Sequence, residues 1–154
     1  YENKDNRVVL SIDPGAAFGT GTHATTSLCL SLLEDYIEAD TEMLDIGTGS
    51  GILSIASVLL GAKKAIGVDI DAQSVKTANE NAEINNISDK CEFIVGDLAD
   101  KISGKYKVIL NTDSEKFGGF NRVSEEYIYK TEKEKVGFNC YLPNRTAIVF
   151  KRVK

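Results

Sequence analysis

Three observations predict an α/β fold, a largely parallel sheet with helices on both faces that ends in a β-rich segment. Short apolar strands alternate with helical stretches from Met43 to Leu110. A glycine turn, Asp45-Ile46-Gly47-Thr48-Gly49-Ser50-Gly51, stands where a strand stops and a helix starts. An acidic residue, Asp69, closes the following strand. Strands joined through helices favour parallel pairing and a right-handed crossover.

In chain order, Arg7 to Ile12 reads as a short strand and Asp13-Pro14-Gly15 as a turn. The Gly/Thr-rich stretch Phe18 to Thr26 leads into a helix over 24–37, with Leu28, Leu32 and Leu33 at helical spacing. Met43 to Ile46 is a strand, Ile52 to Leu60 a helix stopped by Gly61, and Ala65 to Val68 a buried strand. Asp71 is placed to cap a helix that turns Val75, Ala78, Ala82 and Ile84 inward. Glu92 to Val95 and Lys107 to Leu110 add two strands. Beyond Asn111 the expectation is loop, a strand near Tyr127 to Tyr129, and an antiparallel hairpin pairing Val136–Tyr141 with Thr146–Phe150.

The 154 residues suit one globular domain, and the formal net charge of −5 argues against duplex nucleic acid or an anionic membrane as main partner. No apolar run approaches the roughly 20 residues of a membrane span. The opening Tyr1-Glu2-Asn3-Lys4 carries no leader pattern, and Cys29, Cys91 and Cys140 form no C-x-x-C pair. A cytoplasmic location is the expectation, with no disulfide framework or metal site. Charge divides unevenly: residues 1–110 hold nine Lys/Arg and seventeen Asp/Glu, residues 111–154 nine and six. The last 44 positions also carry seven of the twelve Phe and Tyr. Two regions follow, 1–110 and 111–154.

Glycines at a strand-to-helix turn let the backbone bend tightly and let a ligand touch it closely. The spacing G-x-G-x-G differs from the G-x-G-x-x-G of nicotinamide binders. Bare amides of Gly47, Gly49 and Gly51, with Asp45 before them, would cradle a nucleotide-like ligand, and Asp69 would accept hydrogen bonds from both ribose hydroxyls. Asp97 is either a turn residue or the acceptor of an adenine amino group. His23, the only histidine, is read as shaping its loop and not as a base. Cys29 reads as packed core.

With those residues in view, residues 7 to about 110 resemble the ribosomal protein L-eleven methyltransferase family. The likeness rests on Asp13-Pro14-Gly15-Ala16-Ala17-Phe18-Gly19-Thr20-Gly21-Thr22-His23, Thr25-Thr26, Leu44 to Leu53, Gly67-Val68-Asp69-Ile70-Asp71 and Asn79-Glu80-Asn81-Ala82. It implies a Rossmann-like S-adenosylmethionine methyltransferase sheet, S-adenosyl-L-methionine as cofactor, and a ribosomal protein lysine as acceptor. Thr26, Gly47, Asp69 and Asn111 would be cofactor-binding positions, with Ile70 counted beside Asp69. No catalytic residue is assigned. One departure is Ala24, where the family has Pro; another is Asn111-Thr112-Asp113, where it has Asn-Ile-Leu. Residues 105–154 resemble the C-terminal β-domain of glycogen-branching enzymes, on Leu110 to Phe120 and Tyr141 to Phe150. That segment is either a hybrid's β-module or the closing hairpin of the sheet. The second functional reading is therefore a non-catalytic hybrid, or an α-glucan-associated module on a Rossmann-like scaffold.

Overall fold

The structure, a computed structural model, describes residues 7–13, 24–96, 104–111, 113–131, 138, 140–141 and 148–153. Its elements are α1 (Ala24–Tyr36), β1 (Glu42–Ile46), α2 (Ile52–Leu59), β2 (Lys64–Asp69), α3 (Ala72–Ile84), β3 (Cys91–Val95) and β4 (Lys105–Asn111). A 3-10 turn (Glu115–Phe117), β5 (Ile128–Lys130) and β6 (Ile148–Val153) follow. The strands form one six-stranded sheet in the order β3-β2-β1-β6-β4-β5. Among the described residues no helix is long and apolar enough to cross a membrane.

The period-2 alternation of the strands divides the core into two layers. Met43 of β1 and Ala65 of β2 face α1 and α2, burying Cys29, Leu33, Ala56 and Val58. The α2 helix is apolar nearly all round, as a helix with neighbours on several sides must be. Asp71 caps α3 by accepting hydrogen bonds from the Gln73 and Ser74 amides. On the opposite face Leu44, Val68, Tyr106, Val108 and Phe150 meet Val123 and Tyr129. Phe150 is fully buried, with its ring centroid 5.3 Å from Tyr129 and 5.4 Å from Phe138.

The Rossmann-like architecture is as the sequence predicts, and several details differ. The sheet is mixed: β1, β2 and β3 are parallel, but β6 lies antiparallel between β1 and β4. Among the described residues the expected hairpin between 136–141 and 146–150 is not seen. Ile148–Phe150 belong to β6, which pairs with β4 on one side and with β1 on the other, and apart from Phe138, Cys140 and Tyr141 the rest of both arms lies outside the described residues. Phe138, Cys140 and Tyr141 carry no regular structure. All three α-helices described pack on one face, α2 touching both α1 and α3, as expected when β1-α2-β2 and β2-α3-β3 run the same way across the sheet. Aromatic side chains line the other face. Residues 7–12 form no strand: Asn81 of α3 and its C-cap Asn85, not a neighbouring strand, bond the backbone of Ser11 and Asp13. Ile84 points outward, half exposed. The turn at Pro14, the Gly/Thr stretch up to His23, Asp97, and the connector 142–145 lie outside the described residues.

After β4 the chain turns about Asp113, whose side chain is almost fully buried. Its carboxylate accepts from the Arg122 amide (2.8 Å), from Arg122 Nη2 (2.6 Å) and from Arg122 Nε (3.1 Å). Those bonds hold the Asp113 carboxyl down at about 2. A carboxyl depressed on folding stabilises the fold above its unfolded value of about 3.9 and loses that contribution as pH falls toward the folded value. Urea titrations of wild type and Asp113→Asn should therefore differ most above pH 4 and converge between about pH 4 and 2. Parallel curves over that range would show that this pair does not support the turn.

Candidate functional site

The glycine turn is built by three residues that need left-handed backbone, Gly47 (φ 74°), Gly49 (φ 54°) and Gly51 (φ 80°). Its register on β2 is set by Gly47 and Thr48, whose amides both donate to the Val68 carbonyl at 2.8 and 3.1 Å. From below, the Asp45 carboxylate accepts from Thr48 Oγ1 (2.7 Å) and Ser54 Oγ (3.0 Å), tying β1 to the turn and to α2. Burial pushes the Asp45 carboxyl above its ordinary value, and the two hydroxyl bonds oppose that shift. Gly51 is the N-cap residue of α2 and lies against α3: a Cβ there would stand 2.9 Å from Ala78 Cβ. At Gly47 the same atom would meet nothing within 4 Å, so the Cα surface is open.

Asp69 ends β2 directly across from this turn. Its Oδ2 accepts from the Gly49 amide at 2.9 Å and its Oδ1 from the Asp71 amide at 3.0 Å. An ionised carboxylate has about four acceptor positions. One on each oxygen is therefore used by the protein, and one on each is left for a ligand.

Thr26, Asp45, Gly47, Gly49 and Asp69 line one cleft of about 300 Å³, together with Thr48, Ile52, Leu53 and Ser74. Nothing in the sequence singles out those last four as site residues beyond their neighbourhood to the turn and the Asp71 cap. For Ser74 a signal existed, its place in the first turn after the Asp71 cap; for Leu53 none did. Ile70 stands beside Asp69, 82% exposed. Gly51 is buried behind the turn. Asp97 and His23 lie outside the described residues.

Two expectations change. The turn's amides are not bare: Gly47 and Thr48 serve Val68, and Gly49 serves Asp69. What the turn offers is glycine Cα surface and the Asp69 carboxylate. Asn111 does not line the cleft. It is buried, its Nδ2 donating to the Val123 carbonyl and its Oδ1 accepting from the Asp113 amide. With β6 between β1 and β4, Asn111 stands two strand spacings from β1, about 10 Å. Elsewhere, Cys29 is core, its thiol pushed up to about 11 chiefly by burial.

Comparison with known proteins bears on this geometry. The profile of the ribosomal protein L11 methyltransferase family matches residues 1–112, and that of the alpha amylase C-terminal all-beta domain matches residues 97–153. A ribosomal protein L11 methyltransferase of Alkaliphilus oremlandii is 50% identical over 110 residues, and one of Clostridium botulinum 47% identical over the same length. Each alignment covers 71% of this chain, which spans only 35% of either relative. Among solved structures, a ribosomal protein L11 methylase from Lactobacillus delbrueckii subsp. bulgaricus superposes with a TM-score of 0.55 at 38% identity. That match covers 62% of this chain and 48% of the other.

Proposed function

The chain belongs to the ribosomal protein L11 methyltransferase family through residues 1–112, and on that premise we propose that its cleft binds S-adenosyl-L-methionine for methyl transfer to a protein amine. The observation that carries this is the Asp69 carboxylate, held by the Gly49 and Asp71 amides with one acceptor position left on each oxygen. A vicinal diol donates two hydrogen bonds from adjacent hydroxyls, which suits that pair. Gly47, with open space where a side chain would stand, admits the rest of the ligand against the turn. Thr26 on α1 lines the same cleft and would offer its hydroxyl there, and exposed Ile70, next to Asp69, would give an apolar surface beside the ribose. Asp97 is the candidate partner for the adenine amino group.

Bound there, the cofactor supplies a methyl group already made electrophilic by its sulfonium. The chain's work is to orient that group and exclude water. A lysine acceptor must be neutral, and with a pKa of about 10.4 its deprotonation at pH 7 costs roughly 4–5 kcal/mol. A dry cleft beside a cation lowers that cost, so no side-chain base is required. The acceptor proposed is a lysine of a ribosomal protein, met in the cytoplasm.

One observation favours a second reading, binding without turnover. Intercalated β6 separates Asn111 from the cleft, and the segment that supplies β6 falls within the alpha amylase β-domain match. Such a hybrid would keep the cofactor site as scaffold.

Calorimetric titration of the full chain with S-adenosylhomocysteine tests the first reading. One site per chain is expected, with a stabilisation that grows with ligand as RT ln(1 + [L]/Kd), about 2.7 kcal/mol at a hundredfold excess over Kd. No heat and no thermal shift at saturation would refute it. Binding without transfer of labelled methyl to ribosomal protein L11 would select the second reading.

A further inference from the structure

One buried side chain ties the 7–13 segment to the glycine turn. Asn81 of α3 is fully buried. Its Nδ2 donates to the Ser50 carbonyl in the glycine turn (2.9 Å) and to the Asp13 carbonyl (3.0 Å), and its Oδ1 accepts from the Asp13 amide (2.8 Å). One turn along the same face, Asn85 repeats the pattern, its Oδ1 accepting from the Ser11 amide (3.0 Å) and its Nδ2 donating to the Ser11 carbonyl (2.6 Å). Residues two apart in an extended segment present their amide and carbonyl groups to the same side. Two carboxamides four apart on a helix thus stand in for a neighbouring strand along residues 11–13.

The consequence reaches the ligand. Ser50 lies between Gly49, which donates to Asp69, and Gly51, which starts α2. Asp13 belongs to the chain that next reappears, among the described residues, as α1 with Thr26 on the cleft. We propose that Asn81 and Asn85 form a clasp that positions the 7–13 segment against the glycine turn, making them positioning residues for the ligand of the cleft; this rests on the cofactor reading above. Neither side chain lines the cleft, so Asn81 acts through Ser50 and Asp13, and Asn85 through Ser11. Occupying the cleft steadies Ser50, and the clasp passes that order to Asp13 and Ser11.

The test compares wild type, Asn81→Ala and Asn85→Ala, titrated with S-adenosylhomocysteine at a temperature where circular dichroism shows each folded. Amide exchange is followed with and without the ligand. Losing the bonds to Ser50 and Asp13 should weaken binding by about tenfold, and losing those to Ser11 by about threefold. In wild type the ligand should slow exchange at Ser11 and Asp13, and Asn81→Ala should abolish that ligand-dependent change. A purely structural role would instead speed exchange equally in free and bound protein and leave Kd alone. Where Asn81→Ala does not fold, Asn85→Ala decides: free exchange at Ser11 with wild-type Kd overturns the clasp. Absence of binding by wild type overturns the cofactor reading and the clasp together, whereas wild-type binding with unaltered variants overturns the clasp alone.

Discussion

Asp69→Ala is expected to leave a folded protein that no longer responds to S-adenosylhomocysteine. Two bonds from ligand hydroxyls to an ionised carboxylate would be lost, each worth about 1.5–3 kcal/mol. A combined loss of roughly 3 kcal/mol or more is a factor of at least about 100 in Kd. The fold should tolerate the change, since Asp69 is part-exposed and water can reach the amides of Gly49 and Asp71. A drop of no more than about 1 kcal/mol in unliganded stability is expected. Asp69→Asn retains an oxygen acceptor but surrenders the charge, and should fall between, near tenfold. Titration calorimetry of the three proteins, with urea unfolding of each without ligand, separates affinity from folding. Wild-type affinity in Asp69→Ala would remove the central support for the cleft as a ribose site.

The parts of this site that could be read from the sequence are those made within a few residues of one another. The glycine turn announces itself because three positions must take left-handed backbone, and Asp71 because a cap acts on amides two and three residues ahead. Asp69 was legible from its place at a strand end. Partners chosen across the fold were not. The amides of Gly47 and Thr48 find Val68 only once β1 and β2 are in register. Ser11 looks locally like a strand residue and Asp13 like the start of a turn, yet both satisfy their backbone on asparagine side chains some seventy positions away. Asn111 ends its strand as expected, yet its distance from the cleft depends on what pairs beside β4. Sequence proximity favours a hairpin between 136–141 and 146–150; the structure instead gives both edges of β6 to strands far back in the chain. An alternating segment such as Ile148-Val149-Phe150-Lys151-Arg152-Val153 specifies a strand and its buried face but not its neighbours.

That placement of β6 makes Phe150→Ala the most damaging single substitution expected. The side chain has no exposed surface, and its ring meets Tyr129 edge-on and Phe138 at a tilt, at centroid separations near 5 Å. Truncating a buried Phe to Ala costs about 3–5 kcal/mol through lost transfer energy and the cavity left behind. A domain of this size has about 5–15 kcal/mol to lose. Because β6 stands between β1 and β4, the loss should fall on the whole sheet, the glycine turn included. Urea unfolding should show one cooperative transition at a lower midpoint by both far-ultraviolet dichroism and tyrosine fluorescence, with ligand affinity falling as the folded fraction falls. Ile128→Ala, at a half-exposed position of the edge strand β5, should cost well under 1 kcal/mol and serves as the control. If the C-terminal segment were instead an independent module, Phe150→Ala would split the transition and leave cofactor binding untouched. That result would place β6 outside the sheet, and with it would go the reason that Asn111 stands apart from the cleft.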